Sequence, residues 1–578
     1  MKKKKEKSPP QLHFKRDEQG QSWVFPPHLG EMIPLDHPAR FINQFVDELD
    51  VTDILMTYKS GGTSCYHPRV LIKILLYGYL NREYSSRVLE RQCRENVVYM
   101  WLCGMLQPDH VTINNFRSQK LKDGIKAIFG GVVEKLYESG YIDLKTQIVD
   151  GTKIESVANK YSYVWEKNVL RYSGNLKQKI EKILEDIDTY VSEDEDSTDV
   201  SEHVSEKEEQ KALEELSASD IEKKLERYTD QTAPVIKKKM NEITSKHLPK
   251  LKKYETQRAI LNGRSSYSKT DPDASFMRMK DDVLGNGQLK PAYNIQLSSE
   301  DQYIINYTIH QNANDGSCYK AHTEDTIALL QSRGLPKFEQ AMGDSIYGTE
   351  ENYEYLACEQ IENYLKYPSF HAEQKRKNQN NPFRIENFYY NGTEDYFVCP
   401  MGQHLTCSSE RHRVRKSGYV STHRVYEAQN CTGCPLQGLC TKGQSNRMIH
   451  RNANLEGYKK KARENLCSAQ GIQLRQKRNV DVEPIFGHLK YNRGFNRFTL
   501  RGIEKIKVEF GLLAIAHNLK KMIKRSLLEG KNDYSFIYNE TERLIKYGDC
   551  LIRIIQNRLN SNLRFMTSWF KHLLSISV

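Results

Sequence analysis

Apolar residues recur at helical spacing from Pro68 onward: Val70, Leu71, Ile74, Leu75 and Tyr79 share the inner side of a helix predicted over Arg69 to Leu80. Ser85 and Ser86 can cap the next helix, Asn96 to Leu106 reads as another, and Pro108-Asp109-His110 leads into one over Val111 to Gln119. This pattern predicts a compact all-α domain with a helix-turn-helix character, suited either to reading DNA or to docking and dimerisation.

The pattern then changes. Thr146 to Ser156 predicts a short buried strand ending at Asp150-Gly151, and Asn159 to Leu261 is helical and highly charged, interrupted by an acidic, Ser-rich tract over Ser192 to Gln210 that is too polar to bury surface. Strand signals resume at Ala292 to Leu297 and Tyr303 to Ile309, a predicted hairpin. A helix over Ala321 to Arg333, a strand over Phe338 to Gly343, a helix near Glu350 to Glu362 and a strand over Asn363 to Tyr367 follow. That order predicts a mixed α/β sheet interrupted by a helical insertion. A polar, cysteine-containing stretch runs from Gln374 to Cys467, and Ile503, Ile506, Phe510 and Leu513 then share one helical face.

A chain of 578 residues, 38% hydrophobic, exceeds what a single core normally serves. The expected divisions are a basic flexible N-terminus (1–24) and a helical DNA-binding or dimerisation domain (25–140). A catalytic core in three pieces (141–160, 290–370 and 470–525) is interrupted by the helical insertion (161–289) and by the cysteine-rich insertion (371–469). A helical tail (526–578) ends the chain. The basic start lacks the apolar stretch of a signal peptide, and no apolar run reaches membrane-spanning length, so the expectation is a soluble cytoplasmic protein.

Charge sharpens this. Lys plus Arg outnumber Asp plus Glu by 86 to 74, but the surplus is uneven: Val191 to Asp220 holds 2 basic and 12 acidic residues, Thr441 to Gly530 holds 20 basic and 7 acidic. A concentrated basic segment points to a polyanion partner, because neutralised phosphates release condensed counterions.

Within this frame, Asp150 and Asp344 each stand where an apolar strand meets its loop. Ends of neighbouring strands lie about 5 Å apart, so the two carboxylates can share a divalent cation. Glu483, inside the basic segment, is the plausible third acid; with Gly487 and Lys490 it falls at i, i+4 and i+7, placing an acid and a cation on one helical face. Pro484 implies that the helix begins or kinks there. Glu155, Asp273 and Asp315 are rival or supporting carboxylates. Arg493, Arg497 and Arg501 extend the positive track, and Tyr491, Phe495 and Phe498 among them are placed either to stack on bases or to pack in the core.

Five of the 12 cysteines fall between Cys399 and Cys440. The Cys431-x-x-Cys434 turn directs two sulfurs at one ion, and Cys399 and Cys440 complete a tetrahedral zinc set, with Cys407 and His404 as substitutes; buried free thiols and a redox pair are the alternatives.

Together, Pro68 to Ser118, Val149-Asp-Gly-Thr-Lys153, Thr270-Asp-Pro-Asp-Ala274, Tyr293-Asn-Ile-Gln296, Gly343-Asp-Ser-Ile-Tyr-Gly348 and Val482-Glu-Pro-Ile-Phe-Gly-His-Leu-Lys490 resemble a bacterial insertion-sequence transposase of the DDE type, in the broad eleven-eighty-two group. The resemblance implies a ribonuclease-H-like core with Asp150, Asp344 and Glu483 as its acidic triad, holding two Mg²⁺ or Mn²⁺ ions. It implies cleavage at the element's ends and joining to target DNA, with terminal inverted repeats and target DNA as partners, a homodimer or larger assembly on DNA, and association with the bacterial nucleoid. Lys490 would contact phosphate, and the cysteines would hold a structural zinc in a ribbon-like insertion. The chain departs from relatives carrying a Tyr, Arg, Glu, Lys signature, since Gln476 and Asn479 stand at the Tyr and Arg positions; Arg475 or Arg478 can substitute. A non-catalytic or domesticated DNA-binding protein, or a metal-dependent DNA nuclease of the same fold, is the alternative.

Overall fold

The computed structural model describes residues 28–58, 64–194, 217–228, 233–279, 287–441, 443 and 445–528. The basic N-terminus, most of the acidic tract and nearly all of the C-terminal tail lie outside the described residues. At the centre is a six-stranded mixed sheet of β1 (Thr146–Glu155), β2 (Ser275–Arg278), β3 (Leu289–Glu300), β4 (Tyr303–His310), β5 (Gln340–Gly343) and β6 (Glu362–Leu365). Its order is β4-β3-β1-β5-β6, with β2 beside the start of β3. β3 runs antiparallel to both β1 and β4, whereas β5 is parallel to β1 and β6 to β5.

β1 is longer than the sequence pattern implies. It passes through Asp150 to Glu155, because antiparallel pairing with β3 continues from Ile148 opposite Ser299 to Glu155 opposite Ala292. Its parallel pairing with β5 stops at Val149 opposite Gly343. Asp150 is therefore internal to its own strand and terminal only with respect to one neighbour. The β3–β4 hairpin closes through Asp301 and Gln302, whose φ values of 48° and 62° give the left-handed pair that matches strand twist in a two-residue turn.

Five helices frame the sheet: α1 (Pro68–Leu80), α2 (Ile125–Glu138), α3 (Tyr319–Ser332), α4 (Ala469–Gly487) and α5 (Ile503–Leu528). Side chains alternate along β1. Gln147 accordingly meets Thr326 of α3 on one face, and Asp150 meets Arg478 of α4 on the other. α5 covers β4, where Asn518 accepts from the Ile304 N–H at 2.9 Å and donates to the Ile304 carbonyl at 2.8 Å, pairing backbone groups of the edge strand. Ile506, Phe510 and Leu513 are buried as their spacing predicts, and Ile503 packs against the same core.

One apolar core runs from Ala39 through α1, α2 and the sheet to Ile523, so the helical N-terminal region and the sheet share their interior. The helical insertion has its own core, in which Ile180, Ile187, Ile221, Ile243 and Leu251 join the long helix Glu166–Asp194 to the returning helices Ala218–Glu226, Pro234–Glu242 and Leu248–Leu261. The cysteine-rich stretch, whose strands its polar pattern conceals, forms a five-stranded antiparallel sheet around Phe397, Leu405, Tyr426 and Ile449.

Candidate functional site

Asp150 and Asp344 meet because of register. Val149 pairs with Gly343, so the next residue on each parallel chain places a carboxylate beside the other. Asp344 leads into a 3-10 turn at Ser345–Tyr347, but its side chain caps nothing there, and it is about half exposed. Arg478 reaches across from α4: its Nη2 donates to Asp150 Oδ2 at 3.2 Å and lies 4.0 Å from Asp344 Oδ2.

Glu483 on α4 is exposed to solvent and, like Asp344, acts on the charge of Lys366. Pro484 neither starts nor ends this helix, which continues to Gly487. The helix is anchored beside Glu483: Asp481, 2% exposed, accepts from Ser299 Oγ at 2.8 Å and from the Gln302 N–H at 3.1 Å. Burial holds the Asp481 carboxyl above its ordinary range.

The expected shared face of Glu483 and Lys490 is not what forms. From His488 to Asn492 the chain widens into a π turn, with the Arg493 N–H donating to the His488 carbonyl five residues back. Lys490 lies inside that turn, where the regular helical spacing from Glu483 no longer holds, and Lys490 is buried while Glu483 is exposed.

Other cations are distributed unequally. Arg475 lies over the Phe370 ring at 5.4 Å. Arg493 is buried, donating to the Tyr79 carbonyl at 2.8 Å, and burial lowers its pKa. Arg497 donates to the carbonyls of Ser156 and Ala158, and Arg501 is exposed. Of the interleaved aromatics, Phe495 and Phe498 are core residues and only Tyr491 is exposed. Among the rival acids, Glu155 pairs with Lys290 at 3.2 Å and Asp273 accepts from the Ile503 N–H at 2.9 Å, while Asp315 accepts from Asn294 and Gln296 on the far side of β1.

Two neighbours escape the sequence pattern. Lys366, just beyond β6, is held below the ordinary lysine range by burial and next by Arg478, while Asp344 and Glu483 act in the opposite direction. Only its polarity beside the apolar Tyr364-Leu365 pair marks it in the sequence. Tyr347, fully buried, donates to Gln296 Oε1 at 2.6 Å; burial raises its pKa, and Asp150 and Asp315 add to the effect. Asp344, Glu483, Arg478 and Arg475 thus all act on the charge of Lys366, and Arg478 reaches both Asp150 and Asp344. Two in-register carboxylates already facing a cation form a donor set that suits a hard divalent ion.

Cys399, Cys431, Cys434 and Cys440 all line one small cavity of about 30 Å³. Burial pushes the Cys440 thiol up, Arg447 opposes this, and the other three thiols add to it. Cys407 is exposed, and His404 stacks on Tyr396 with ring centroids 4.0 Å apart. Among the described residues, no group of three or more His, Cys, Asp or Glu side chains is arranged to hold a metal ion, and no helix is long and apolar enough to cross a membrane.

Residues 398–523 match the transposase DDE domain family, a span that takes in Glu483 and the four cavity cysteines but neither aspartate. Residues 27–119 match the transposase domain family DUF772, which coincides with the helical N-terminal region. No curated protein and no solved structure matches the chain.

Proposed function

By these two matches the chain belongs to the bacterial insertion-sequence DDE transposases, and from that premise we propose that it cuts DNA at the ends of its element and joins those ends to target DNA at one acidic site. The observation that carries this reading is the pairing of Asp150 with Asp344 around Arg478 beneath the helix of Glu483. The strand order β4-β3-β1-β5-β6, with β5 and β6 parallel to β1, supports a ribonuclease-H-like core.

Asp150, Asp344 and Glu483 are the residues that would hold two Mg²⁺ or Mn²⁺ ions. Bound ions of this kind activate the attacking oxygen and stabilise the leaving one. The protein's own part is placement. Register sets the two aspartates, the Asp481 anchor sets the turn carrying Glu483, and Lys366 and Arg475 supply positive charge where a phosphate would lie. The exposed Arg501 extends that charge along DNA. Terminal inverted repeats and target DNA are the proposed partners, bound by a homodimer or larger assembly so that two ends are held together.

Substitutions Asp150→Asn, Asp344→Asn and Glu483→Gln test this, assayed on DNA carrying the element's inverted repeats with Mg²⁺. Each should lower cleavage and joining by about a hundredfold or more while DNA binding persists. Undiminished cutting by Asp150→Asn would overturn the assignment. A structural zinc held by Cys399, Cys431, Cys434 and Cys440 is a further part of the reading; the four residues line one cavity, but they are not arranged as a metal site in this structure. Metal analysis of purified protein should find zinc that Cys434→Ser loses.

A further inference from the structure

Arg478 is 6% exposed, yet its Nε, also buried, has no hydrogen-bond partner among the described residues. A guanidinium offers five donors in a rigid fork, so a buried one with an unused donor is held by charge more than by a closed hydrogen-bond network. The charge it answers is plain: Nη2 is 3.2 Å from Asp150 Oδ2 and 4.0 Å from Asp344 Oδ2. Carboxylates on adjacent strands repel each other unless a cation lies between them.

We infer that Arg478 is a tethered counter-ion: its guanidinium fills the cation position between Asp150 and Asp344 in the metal-free protein, so divalent ions bind there by displacing it. The inference rests on the carboxylate site proposed above. Arg478 is on this account a positioning residue, aiming both aspartates at a common point. The same contact opposes metal binding, because the guanidinium's attraction to Asp150 and Asp344 must be given up first. Lys366 and Arg475 leave the neighbourhood positively charged after the exchange, which favours phosphate as the new companion of the displaced guanidinium.

Titration of the full-length protein with Mn²⁺ alone, following the free ion by electron paramagnetic resonance, tests this without reference to activity. Arg478→Met should bind Mn²⁺ about tenfold more tightly than the wild type, the scale set by loss of a charge-assisted hydrogen bond. Arg478→Lys, which keeps a charge in the interior and serves if the Met variant does not fold, should bind differently from the wild type, because an ammonium cannot reproduce the fork. Asp150→Asn should weaken binding in every background. If both Arg478 variants bind Mn²⁺ as the wild type does while Asp150→Asn still weakens binding, the counter-ion inference fails and the carboxylate site stands. If Asp150→Asn has no effect on Mn²⁺ binding, the site itself is wrong and the inference falls with it.

Discussion

Gln302 donates its side-chain amide to the carbonyl of Val480 at 2.8 Å, and Val480 is the residue four positions before Pro484. Proline has no N–H for that carbonyl, so the hairpin turn supplies the donor the helix lacks. Lys477 pairs with Asp301 at 3.0 Å in the same turn. Pro484 is thereby tolerated inside α4, and the turn that carries Glu483 is tied to the sheet that carries Asp150. Gln302→Asn keeps a residue at ease with positive φ but shortens the reach by a methylene. Because the contact is exposed, denaturant titration should show a loss of about 0.5–1 kcal/mol, with a larger proportional loss of strand cleavage.

Glu300 closes the same end of β3, just before that turn. Its carboxylate oxygens accept from the N–H groups of Asp143, at 3.3 Å, and Leu144, at 2.9 Å. Burial, followed by the hydrogen bond and charge of Asp143, raises its pKa to about 8. In the unfolded chain the same group titrates near 4.3. Between those values the folded protein holds a proton that the unfolded chain has lost, so stability is fully present below the lower value and falls as pH rises through about 8. Thermal unfolding across this range should show a falling midpoint, and Glu300→Gln should flatten it. A midpoint that rises with pH equally in both proteins would contradict this account.

Gly151 follows Asp150 and faces the opposite side of β1. A Cβ there would lie 2.5 Å from Gln296 Nε2 and 3.0 Å from Asp315 Cγ. Gln296 cannot simply swing away, because it donates to Asn294 and Asp315 and accepts from Tyr347. Gly151→Ala should therefore cost about 1–3 kcal/mol and reduce cleavage by moving β1 beneath Asp150. Wild-type stability together with wild-type cleavage would show that this layer yields.

The central sheet was legible where one face is apolar and the strand short, as in β5 and β6. Its hairpin was legible because two apolar runs flank a polar turn, although β3 and β4 each extend beyond those runs. The aspartates were visible as acids where an apolar strand meets its loop, although Asp150 proves internal to its strand. Their register was not, since it depends on Val149 meeting Gly343 across 194 positions. Lys366 stayed hidden, and Arg478 was legible only as a substitute for the signature arginine, for a related reason: a cation's role depends on which acids the fold brings to it. The strands around Leu405 and Tyr426 were missed because His404–Val414 buries little beyond Leu405, leaving no alternation to read.

Arg493 and Arg501 separate two roles that a basic run leaves confounded. Arg493 is 2% exposed, its Nη1 committed to the Tyr79 carbonyl and its own carbonyl accepting from Tyr84 Oη at 3.1 Å. Arg493→Met should thus destabilise the junction of α1 with the post-α4 segment by about 1–3 kcal/mol and leave the salt dependence of DNA binding by the folded protein unchanged. Arg501 is exposed. Arg501→Ala should leave unfolding unchanged, weaken binding to all DNA sequences similarly and reduce the slope of log affinity against log salt by about 1. Binding isotherms at several salt concentrations, paired with denaturant titrations, distinguish the two residues. A reduced salt slope for Arg493→Met with unaltered stability would place its guanidinium on the DNA instead of in the core.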